Sequence, residues 1–134
     1  MTTKEASIGI IDDDPVYQFT AKKIVELSHR AGKIHQFTSG DEALTYLSDH
    51  REGYLELPDI LLLDLNMPVT DGWMFLDAYR KLKPSLCKKM LIYIVTSSID
   101  PRDIAHAKSY PDVIEFISKP LDIERIQGIL TPIE

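Results

Sequence analysis

With one cysteine, Cys87, the chain can close no disulfide on itself, and its four histidines, His29, His35, His50 and His106, lack metal-ligand spacing. Disulfide scaffolds and zinc centres are thereby excluded. No apolar run approaches the length that crosses a bilayer, and the polar Met1–Ser7 segment has no apolar stretch behind it to act as a signal peptide. No long block of basic residues stands out, short pairs such as Lys22-Lys23 and Lys88-Lys89 being the candidates, and the net charge is -6. That balance argues against a face built to hold nucleic acid. We therefore expect a cytoplasmic protein that binds neither nucleic acid nor membrane. What is present is 134 residues, 44% hydrophobic and 27% charged, enough for one globular core.

Apolar runs of strand length alternate with segments of helical period. Ile8–Ile11 is cut off by three aspartates, and the spacing then predicts a helix from Pro15 to about Ala31. Asp14 and Pro15 read as its cap and first turn, Val16, Phe19, Ile24 and Leu27 as its buried stripe, and Gly32 as its stop. Ile34–Phe37 suits a less buried strand, and Ser39 with Glu42 has capping-box spacing ahead of Ala43, Leu44 and Leu47. Ile60–Leu63 is continuously apolar and ends at Asp64. Trp73, Phe75, Leu76 and Tyr79 mark a third helix, Leu91–Val95 a further strand, and Asp100-Pro101 the start of a short helix. Val113–Ile117 and a final helix from about Asp122 to Leu130 complete the pattern. The eleven residues Ser48–Pro58 form a longer connection with no functional reading.

Five βα alternations with continuously apolar strands imply a parallel sheet covered on both faces. Right-handed crossovers favour a doubly wound, flavodoxin-like α/β fold. In such sheets ligands sit beyond the carboxyl ends of the strands. The residues just past the runs are Asp12 and Asp13, then Asp64, then Thr96 with Ser97, then Lys119. Carboxylates converging there would repel one another without a cation, and hard oxygen ligands suit Mg²⁺ or Mn²⁺. A metal, a lysine and a hydroxyl can neutralise the equatorial oxygens of a transferring phosphoryl group while one carboxylate attacks phosphorus. Each residue also has a plainer reading. Asp14 is a helix cap, Ser97 a turn residue, and Lys119 on its own a surface lysine.

Ile8–Pro15 (IGIIDDDP), Leu61–Gly72 (LLLDLNMPVTDG), Val95–Ser98 (VTSS) and Ser118–Pro120 (SKP) together resemble the motif set of the response-regulator receiver family of two-component signalling. The resemblance spans essentially the whole chain. It implies a five-stranded sheet in the order 2-1-3-4-5 and Asp64 as phosphoacceptor. It implies a metal held by Asp12, Asp13, Asp64 and the backbone carbonyl of Asn66, and phosphoryl contacts from Thr96 and Lys119. Thr96 and Phe116 would form the switch, with phenylalanine where tyrosine is common, and Asn66 and Ser98 would tune phosphoryl lifetime. A cis peptide before Pro120 is also implied. The chain stops at Thr131–Glu134, so we expect residues 1–134 to be a single receiver domain without an output domain, resembling stand-alone chemotaxis regulators. Expected partners are a histidine kinase or phosphotransfer protein and a downstream protein target, with the chain a monomer or weak homodimer.

Other functions compete with this one. A metal-dependent phosphohydrolase with an aspartyl-phosphate intermediate commonly carries a second aspartate two residues after the nucleophile, where this chain has Asn66. A flavodoxin-like cofactor binder needs a phosphate loop after the first strand, and three aspartates there would repel it. A phosphorylation-independent binding module is the remaining alternative.

Overall fold

The computed structural model describes residues 5–97 and 100–130. Five strands, β1 (Ala6–Ile11), β2 (Ala31–Phe37), β3 (Ile60–Leu63), β4 (Leu91–Thr96) and β5 (Val113–Ser118), form one sheet. All neighbours pair in parallel, in the order β2-β1-β3-β4-β5. The helices between and after them are α1 (Pro15–Leu27), α2 (Gly40–Asp49), α3 (Gly72–Leu82), α4 (Pro101–Ala107) and α5 (Ile123–Ile129). The doubly wound architecture expected from the alternation is the one observed. Among the described residues no helix is long and apolar enough to cross a membrane.

The period-two alternation of the strands divides the core in two. Ile8, Ile10, Leu62 and Val95 face Ala21 and Val25 of α1 and Ile126 of α5. Ile11, Leu61, Leu63, Ile92 and Ile94 face α2, α3 and α4 through Leu47, Phe75, Tyr79 and Ala107. The central strand β3 is buried along its whole length, which is why its sequence is apolar without interruption.

Caps set the helix starts, as the sequence implies at Asp14, Ser39 and Asp100 and as it did not announce at Asp71. Asp14, Ser39, Asp71, Asp100 and Asp122 each accept a backbone N–H from the first turn of the following helix. Glu42 does reach back as a capping box would, but to the N–H of Thr38 at 2.8 Å.

Two expectations for α1 are corrected. Its buried residues are Gln18, Ala21 and Val25, whereas Val16, Phe19 and Leu27 are exposed and only Ile24 packs partly inward. The reason is Gln18, whose Nε2 lies within hydrogen-bonding distance of the Ile10 and Asp12 carbonyls (3.1 and 2.9 Å) and that of Phe37 (2.9 Å). These bonds tie α1 to the ends of β1 and β2 and fix its rotation, turning the larger apolar side chains outward. The helix also ends at Leu27, not near Ala31. His29, at φ 56°, takes the left-handed conformation after it, and Gly32 lies inside β2.

The Ser48–Pro58 connection closes the amino-terminal edge of the sheet. Lys88, which precedes β4, is buried there, with Nζ 2.9 Å from the Leu57 carbonyl and 2.9 Å from Asp59 Oδ1. Its ammonium also lies 4.3 Å from the Tyr54 ring centroid. Arg51 contributes its carbonyl to the Cys87 N–H at 2.8 Å, and Tyr46 donates its hydroxyl to the Glu56 carbonyl at 2.9 Å. A buried lysine with a carbonyl and a carboxylate partner is a structural anchor. Lys88→Ala removes the ammonium from both partners and leaves Asp59 with the Ser7 N–H at 2.8 Å, so denaturant unfolding should show a loss of about 2 kcal/mol. Unchanged stability would mean that the connection is held by other contacts.

Candidate functional site

Every strand of the site ends at the same edge of the sheet, and the backbone ladder carries past the strand ends. Asp64 N donates to the Ile11 carbonyl at 3.0 Å, and Lys119 N to the Thr96 carbonyl at 2.8 Å. Asp12, Asp13 and Asp64 are thereby brought together, each with a carboxylate oxygen lying within 4.8 Å of the others'. Asp12 and Asp64 are buried and Asp13 is exposed, which leaves the cluster open on one side. Lys119 Nζ lies 2.8 Å from Asp12 Oδ2 and 3.9 Å from Asp64 Oδ1. Asp12 Oδ1 also accepts the Asp14 N–H at 2.9 Å, which holds the turn that presents the acidic pair.

The electrostatics follow from this crowding. Burial first, then the Asp12 charge, push the Asp64 carboxyl up to about 6, with Lys119 and the Asn66 N–H pulling the other way. Three carboxylates against one ammonium leave the cluster short of positive charge. The donors are all oxygen and one side is accessible, so the residues fit a hard divalent cation such as Mg²⁺.

Thr96 is fully buried at the end of β4, and Asn66 Nδ2 approaches its hydroxyl at 3.4 Å. Phe116 sits on β5, partly buried against the α3–α4 side of the core, opposite Ile94. Ser97 is exposed, and Ser98 lies outside the described residues. The Lys119–Pro120 peptide is cis.

The loop from Asp64 to Gly72 folds tightly back on itself. Gly72 N donates to the Leu65 carbonyl at 3.0 Å, and an added Cβ on Gly72 would fall 2.8 Å from the Asp64 carbonyl oxygen. Val69 in this loop has φ 66°, an uncommon conformation for a β-branched residue.

One neighbour of the site was not anticipated from sequence. Tyr17, in the first turn of α1, places its ring centroid 4.1 Å from Lys119 Nζ. Its helical spacing gave no cue beyond that of an ordinary core aromatic.

Residues 8–131 match the response regulator receiver domain family. Among curated proteins, the chain is 28% identical over 122 residues to the two-component response regulator ORR1 of Oryza sativa, covering 90% of this chain and 52% of that protein. It is 26% identical over 127 residues to the probable methanogenesis regulatory protein FilR2 of Methanothrix harundinacea, covering 95% of this chain and 80% of that one. The chain thus spans about half the length of the rice relative. A solved two-component response regulator from Cytophaga hutchinsonii superposes with a TM-score of 0.84 at 30% identity, covering 94% of this chain and 95% of that one. A response regulator receiver protein from Dyadobacter fermentans gives 0.79 at 28% identity, with 92% and 94% covered.

Proposed function

We propose that this chain, which belongs to the response regulator receiver domain family, takes a phosphoryl group on Asp64 from a histidine kinase or phosphotransfer protein and signals through the resulting change in its surface. The observation that carries the reading is the placement of Asp64, buried beside Asp12 and Asp13 with Lys119 Nζ 3.9 Å away.

In this reading an Asp64 carboxylate oxygen attacks phosphorus as the bond to the donor nitrogen breaks, leaving an acyl phosphate. Mg²⁺ or Mn²⁺, held by Asp12, Asp13, Asp64 and the Asn66 carbonyl, would neutralise charge on the phosphoryl oxygens. Lys119, already between Asp12 and Asp64, pairs with a phosphoryl oxygen, and the Thr96 hydroxyl moves to donate to another. Movement of Thr96 vacates space on the α4 side of β4, into which Phe116 turns. Phenylalanine brings no hydroxyl, so the signal is read by a downstream protein as shape rather than as a new hydrogen bond. Asn66 and Ser98 tune how long the acyl phosphate survives.

The test is to incubate the protein with Mg²⁺ and a small acyl-phosphate donor and to record intact mass beside Asp64→Asn. One phosphoryl increment in the parent and none in the variant is the expected result. A parent that stays folded and binds Mg²⁺ but gains no mass would overturn the reading in favour of a phosphorylation-independent binding module.

A further inference from the structure

Lysine carries its charge on a flexible four-carbon stem, so an ammonium that must serve two carboxylates needs something to hold it in place. The Lys119 backbone is fixed by its bond to the Thr96 carbonyl, and the ammonium by Asp12 at 2.8 Å. Those two restraints alone would let the charge settle on Asp12 and leave Asp64 unserved. The third wall is aromatic. Tyr17 sets its ring centroid 4.1 Å from Lys119 Nζ and packs its body against the α1–α5 side of the core.

We propose that Tyr17 is a positioning residue for phosphoryl transfer, its ring face holding the Lys119 ammonium where it reaches Asp64 as well as Asp12. The inference rests on the phosphoacceptor reading of Asp64. A cation over an aromatic face is attracted by the ring's quadrupole, and more strongly where water is excluded. Lys119 meets that condition, its side chain being 18% exposed.

The ring, not the hydroxyl, has the role. The Tyr17 hydroxyl is buried and makes no hydrogen bond to any described residue. Burial first, then Asp12 and Asp64, raise its pKa, so it stays a neutral phenol. Phenylalanine therefore keeps the ring and sheds only an unpaired polar atom, while leucine keeps an apolar side chain and removes the ring face.

Parent, Tyr17→Phe and Tyr17→Leu separate these roles with two readouts. The first is the ring-current shift of the Lys119 ε-methylene protons by NMR, which needs no phosphorylation. The second is the rate of phosphoryl uptake from a small acyl-phosphate donor at saturating Mg²⁺, which keeps partner docking out of the measurement. Tyr17→Phe should retain the shift and stay within about 2-fold of the parent rate. Tyr17→Leu should lose the shift and fall about 10-fold in rate while its Mg²⁺ affinity stays within about 2-fold. A Leu variant at the parent rate, or a Phe variant as slow as the Leu variant, overturns the proposal. A parent inert to the donor overturns the phosphoacceptor reading, and the shift then decides by itself whether the ring holds Lys119.

Discussion

Asp64→Asn should be more stable than the parent at neutral pH in metal-free buffer, by about 2–3 kcal/mol, while being unable to take up a phosphoryl group. Burial and the Asp12 charge raise the Asp64 carboxyl from 3.8 to about 6. The folded protein therefore binds the Asp64 proton more tightly than the unfolded chain does. The stability linked to that proton is fully present below 3.8 and is lost as pH rises through about 6. Above that pH the folded state must hold a buried, crowded charge that the unfolded chain holds in water. Asparagine removes the charge and keeps the shape. Urea unfolding of both proteins with chelator present, at pH 4 and at pH 7.5, tests this. The gap should be wide at the higher pH and nearly closed at the lower. A gap that widens on acidification would contradict the assignment of Asp64 as the strained carboxyl. Saturating Mg²⁺ should narrow the difference at pH 7.5, because the cation relieves the repulsion that the substitution relieves by other means.

Gly72→Ala should have the opposite outcome, losing about 3 kcal/mol of stability and most of the phosphoryl uptake rate. A Cβ at this position meets the Asp64 carbonyl oxygen, Leu65 Cα and Leu65 Cδ2, each at 2.8 Å. Two of the three are backbone atoms, which cannot rotate away. Relief would have to come from opening the turn that Gly72 N closes onto the Leu65 carbonyl at 3.0 Å, and that turn carries Asp64. Gly128→Ala is the control. Its Cβ meets nothing within 4 Å, so it should leave uptake unchanged and raise the unfolding midpoint slightly, as alanine does in a helix. Comparable behaviour of the two variants would show that the Asp64 loop yields more readily than its contacts imply.

The parts of this protein legible in its sequence are those with a local cause. β3 is apolar at every position because it is covered on both faces, and Asp14, Asp100 and Asp122 mark helix starts because a short carboxylate satisfies first-turn N–H groups. The convergence of Asp12, Asp13, Asp64, Thr96 and Lys119 was legible for a topological reason. A parallel sheet gathers whatever follows its strands at one edge.

The rest depended on tertiary partners. Counting apolar residues placed Val16, Phe19 and Leu27 inward, because nothing local announces that Gln18 will be buried by carbonyls from two other strands. Lys88 read as half of a basic pair, and only the folded chain brings it to Leu57 and Asp59. Tyr17 is separated from Lys119 by most of the sequence, so their contact has no signature in either segment.

The Lys88 anchor has a consequence for engineering. Its partner Asp59 and the clustered Asp64 bracket β3, whose four residues put roughly 15 Å between the two charge clusters. Perturbations that far apart, with no shared partner, combine additively to within about 0.5 kcal/mol. The thermal tolerance of the molecule can therefore be dialled at one pole, by repacking around Lys88, while the carboxylate cluster is altered at the other.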